Sequence, residues 1–87
     1  MKRALNAAHK LNEKYRMISM DLDQVNTHED VLFQAKSEID MISFDCDDYL
    51  INQLEDEGKS EKQIENMKKT AIKHLNNFLQ KYKEVPK

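Results

Sequence analysis

From Thr27 to Glu57 the apolar residues fall on two sides of a single helical projection. Leu32, Ala35, Ile39, Ile42, Cys46 and Tyr49, with Val31 and Leu50 at the margins, recur at spacings of three and four and build one face. Phe33, Met41, Phe44 and Ile51 build another. At about 100° per residue the two faces are centred roughly 160° apart, which is more apolar surface than one neighbouring helix covers. The first face is therefore expected to meet a helix of the same molecule, and the second a different surface.

The flanking segments carry simpler patterns. Ala4, Ala8, Leu11, Tyr15, Ile18, Leu22 and Val25 alternate at four and three, an unbroken coiled-coil-like seam over three heptads. Further on, Ile64, Met67, Ala71, Leu75, Phe78 and Tyr82 share one face, which Ile72 and Leu79 widen so that it can touch two neighbours. Helices are thus predicted over about 3–25, 28–57 and 60–84.

Local signals mark the boundaries. Thr27 with Asp30 resembles a capping box built with the shorter acid, and Ser60 with Gln63 is a capping box of the S-x-x-Q kind. Gly58 suits the left-handed residue that ends a helix, so a sharp reversal is expected between the second and third helices, and Pro86 stops the third. Residues 1–87 then form a single all-α domain, an elongated antiparallel three-helix bundle running up, down and up. No Gly or Pro marks the first turn. Fusion of the first two helices would satisfy the same seams in a helix-exchanged dimer.

Composition supports this class: one Gly and one Pro in 87 residues, with 34% charged, leave few turn-formers and many helix-formers. A chain of this size is expected to lack a large enclosed substrate pocket. No stretch approaches 18 uncharged apolar residues and the N-terminus has no signal-peptide core, so a cytoplasmic protein with no membrane contact is expected. The single cysteine, Cys46, is expected to be a small buried hydrophobe.

The net charge of −2 hides a strong segregation. Residues 1–26 carry +2, residues 27–57 carry −9 and residues 58–87 carry +5. An acidic middle arm between more basic ones favours its own neighbours in an antiparallel bundle.

Reactive chemistry finds little support in these residues. A di-metal helical site needs Glu-x-x-His pairs, but His9, His28 and His74 are preceded three residues earlier by Asn6, Val25 and Ala71. Asp45-Cys46-Asp47-Asp48 lacks the glycine and terminal glutamate of a calcium loop, and no glycine-rich phosphate loop exists. No catalytic residue, metal, cofactor or small-molecule substrate is expected, and each histidine is read as structural.

Two surfaces remain. Phe33, Met41, Phe44 and Ile51 lie within a carboxylate rim that includes Asp40, Asp45, Asp47, Asp48 and Glu55. Aromatic and Met anchors with acids that steer a basic partner suit a protein interface, either with another protein or in a homodimer. The expected function is a non-enzymatic protein-binding module of a small regulator, inhibitor, immunity or adaptor type. The alternative is nucleic-acid binding by Lys62, Lys69, Lys73 and Lys83, which share a polar stripe of the last helix with Asn66, Asn76 and Gln80. It is disfavoured by the overall acidity and by the lack of an arginine in that helix.

Overall fold

The computed structural model describes residues 2–44 and 48–83, and every regular element among them is an α-helix. The order is α1 (Lys2–Lys14), α2 (His28–Ser43), α3 (Asp48–Asp56) and α4 (Glu61–Tyr82). α2 lies along α4 in the largest helix contact, α1 touches both, and α3 rests on α4. The molecule is elongated, 46 × 22 × 20 Å.

The helix starts follow from their caps. Thr27 Oγ1 accepts the Asp30 N–H at 3.1 Å, and the Asp30 carboxylate accepts the N–H groups of Asn26 and Thr27, each at 3.0 Å. Those backbone donors hold Asp30 below its ordinary pKa, Asn26 contributing most. At α4, Ser60 and Gln63 make the corresponding reciprocal pair. α3 ends in a Schellman turn, with Lys59 N–H bonded to Leu54 O and Gly58 N–H to Glu55 O. The turn places Gly58 at φ 90°, a conformation in which an L side chain is strained.

The first helix is shorter than its seam predicts. It stops at Lys14 rather than continuing to residue 25, and residues 15–27 form a non-helical strap. Side chains replace the missing helical bonds. The Asn12 amide donates to Met20 O at 3.0 Å and accepts Met20 N–H at 2.9 Å, while Glu38 Oε2 accepts Ser19 N–H at 2.8 Å. Burial explains the preference. On a helix Met20 would point about 160° away from the Ile18 and Leu22 positions, whereas here Met17, Ile18, Met20 and Leu22 are all buried. Each apolar side chain so buried contributes about 1.5–3 kcal/mol.

The predicted helix over 28–57 is represented by two, α2 and α3. Phe44 caps α2 with φ −100° and ψ 9°, and Asp48 occupies the first turn of α3, where the helix dipole favours a carboxylate. The core stripe is consequently not continuous. Tyr49, expected inside, is 73% exposed, and the fully buried side chain of α3 is Leu54. Cys46 lies outside the described residues.

Within α2 the buried stripe is His28, Val31, Ala35, Glu38 and Ile42, with Leu32 and Ile39 only half-buried. Two polar residues therefore sit in the seam. Ala4, Ala8, Ala35 and Ala71 are almost wholly buried and permit close helix approach. Ile64, Leu75 and Phe78 complete the α4 side of the core.

Candidate functional site

With its buried stripe turned toward α1 and α4, α2 presents three large apolar side chains outward. Phe33 is 65% exposed, Met41 47% and Phe44 76%. Phe33 and Phe44 are eleven residues apart, about 16 Å and only about 20° around the helix. Met41 lies between them in height, about 60° to one side of Phe44. Glu29, Ser37 and Asp40 fall near the same line, so acids and aromatics interleave. Lys36 is the exposed cation of this helix.

The remaining members of the expected site are distributed differently. Ile51 is half-buried and packs against the core, so α3 directs it inward rather than onto the outer face of α2. Asp48 is exposed at the start of α3, and Asp45 and Asp47 lie outside the described residues. Asp48 and Glu55 line a broad open groove of about 590 Å³ between α3 and α4, together with Ile51, Lys59, Glu61, Ile64, Glu65 and Lys68. Lys68 pairs with Glu65 at 3.6 Å.

A smaller cleft of about 30 Å³ lies where the strap, α2, α3 and α4 meet, and Met17, Ser19, Glu38, Met41 and Lys68 contribute to its lining. A space of that size holds about one water molecule.

Two of the three histidines are packed against other residues. His28 is buried, and its Nε2 lies 2.6 Å from Tyr82 O, so that nitrogen donates to the carbonyl. Nδ1 is buried without a hydrogen-bond partner. His74 stacks on Tyr15, with ring centres 4.6 Å apart, and His9 is exposed. Among the described residues no group of three or more His, Cys, Asp or Glu is placed to hold a metal ion, and no helix is long and apolar enough to cross a membrane.

On α4 and just beyond it, Lys62, Lys69, Lys73 and Lys83 are all exposed, as are Asn66, Asn76 and Gln80. At the other surface, Arg16 of the strap forms a two-pronged ion pair with Glu57. The Arg16 hydrogen bond is the main reason that the Glu57 carboxyl is held below its ordinary pKa, and its counterpart raises Arg16.

Reading apolar spacing alone missed three polar residues that tie the strap and helices together behind that face: Asn12, His28 and Glu38. Glu38 shares a three-and-four register with Val31, Ala35 and Ile42, a signal visible only when polar residues are allowed on the seam. Compared with protein-family models, curated proteins and solved structures, the chain gives no match.

Proposed function

We propose that the protein is a non-enzymatic protein-binding module, a small regulator, inhibitor, immunity or adaptor-type protein, that docks through the outer face of α2. Phe33 and Phe44 serve as the apolar anchors, and the flexible Met41 adapts to the partner. Ile51 supports the edge of this region from α3. Asp48, with Asp45 and Asp47 adjacent in sequence, sets orientation and association rate. In this reading the protein works in the cytoplasm, and α2 with α3 forms the middle arm of an up-down-up bundle.

The observation that carries the proposal is the exposure of Phe33, Met41 and Phe44 on a helix whose opposite stripe is already buried. Exposed large apolar groups that share one face mark interaction surfaces. Replacement Phe44→Asp should abolish association while far-UV circular dichroism retains the helical signal. Loss of helicity in that variant would assign Phe44 to the core instead.

Exposure of the lysines along α4 supports nucleic-acid binding as a second reading. It requires affinity for single or double strands that collapses as salt rises and disappears in Lys69→Glu with Lys73→Glu. Binding indifferent to both changes would exclude it.

A further inference from the structure

We infer that the occupant of the α2 face is a basic amphipathic helix of another protein, and not a second copy of this chain. The inference rests on the docking reading above and adds the chemistry of the partner. Along the outward line of α2, Glu29, Phe33, Ser37, Asp40 and Phe44 follow one another at spacings of four, four, three and four. One carboxylate stands about one turn before each aromatic. A partner must therefore meet apolar groups and negative charge in alternation.

Neither α2 nor α4 of a second copy supplies that combination. Pairing α2 with α2 about a two-fold axis would lay the face bearing Glu29 and Asp40 over an identical face, on a helix that carries four carboxylates against the single cation Lys36. Like charges at close range are unfavourable in an interface. Pairing α2 with α4 of another copy corrects the charge but not the shape. The exposed side chains of α4 include Lys62, Lys69, Lys73, Asn76 and Gln80, and none of its large apolar residues is among the exposed ones.

A helix laid along α2 satisfies both demands. The Phe33 to Phe44 separation of about 16 Å is three helical turns, so apolar residues at i and i+11 reach the two aromatics. A further apolar residue near i+7 reaches Met41, and Lys or Arg neighbours face Glu29 and Asp40. Lysine stems cover apolar surface while their ammonium groups reach the carboxylates.

The test uses the full chain and two synthetic peptides of about 18 residues, some five helical turns. Both carry leucines at these positions, and one is flanked by lysines while the other is flanked by glutamates. Fluorescence anisotropy should show binding of the lysine peptide alone, at least about tenfold weaker in a Phe33→Ser, Phe44→Ser variant whose circular dichroism is unchanged. The Glu29→Lys, Asp40→Lys variant should reverse the preference. If the glutamate peptide binds wild type equally well and the aromatic variant loses it, docking stands and the basic partner is wrong. Lysine-peptide binding unaffected by loss of the aromatics would overturn both readings. Failure of both peptides to bind would overturn the proposed partner chemistry. A dimer at low salt, seen by light scattering and dissolved by Phe44→Asp, would make a second copy the occupant.

Discussion

The carboxylate of Glu38 on α2 accepts the backbone N–H of Ser19 at 2.8 Å, joining the buried seam of one helix to a strap that has no helix of its own. Glu38 is only 4% exposed. An acceptor so shielded from bulk solvent makes an effective bond, because little water competes for the donor. It also allows the strap to stay extended without leaving the Ser19 amide unsatisfied.

Glu38→Ala should therefore lower stability by about 1–3 kcal/mol, the range for leaving a shielded hydrogen-bonding group without its partner. Glu38→Gln keeps an acceptor oxygen and should cost about half as much. Urea unfolding measures both. Equal midpoints for wild type and Glu38→Ala would mean that the strap does not depend on this bond.

Leu54 is the only residue of α3 that is wholly buried, and α3 rests on α4 alone among the described helices. Leu54→Ala should cost about 2–5 kcal/mol. Ile39→Ala, at a half-buried position, should cost less. Thermal melts of the two variants compare them directly. A larger loss for Ile39→Ala would show that the sequence-predicted stripe, rather than the observed one, carries the core.

Acid should weaken the fold through two surface carboxylates. Folding lowers the pKa of Glu57, chiefly through Arg16, and of Asp30, chiefly through the Asn26 and then the Thr27 N–H. The unfolded chain binds these protons more readily, so the stabilisation is fully present above the ordinary carboxylate range and is lost as pH falls through the lowered folded values. The melting temperature should drop through that acidic window, and Asp30→Asn should remove part of the slope. Added salt should reduce the Glu57 contribution, because its ion pair is open to solvent. An acid slope unchanged by Asp30→Asn would assign the effect to other carboxylates.

The parts of the fold legible in sequence were those decided locally. Thr27 and Asp30, Ser60 and Gln63, and the positive φ of Gly58 each act within a few residues, and all stand where the chain predicts them. The end of α1 was not legible in the same way. It depends on Asn12 reaching Met20 and Glu38 reaching Ser19, contacts between residues eight and nineteen apart. A local clue was nevertheless present: Ile18, Met20 and Leu22 alternate with Ser19, Asp21 and Asp23 at the period of an extended chain. The seam spacing of Ile18, Leu22 and Val25 concealed it.

For the candidate site, Phe33 and Met41 lie on α2 and Phe44 caps it, so their common face follows from spacing alone. Ile51 and Tyr49 belong to α3, whose own rotation decides what it buries. A projection that treats residues 28–57 as one rod assigns both to the wrong side.

The unequal burial of the methionines has a chemical consequence. Met17 and Met20 are buried on the inner side of the strap, Met67 is half-buried, and Met41 stands 47% exposed between two aromatics. Oxidants reach thioethers in order of accessibility, and a sulfoxide turns a pliable apolar side chain into a polar one. Mild peroxide would then alter the recognition surface ahead of the interior. The molecule would keep its shape after losing its grip.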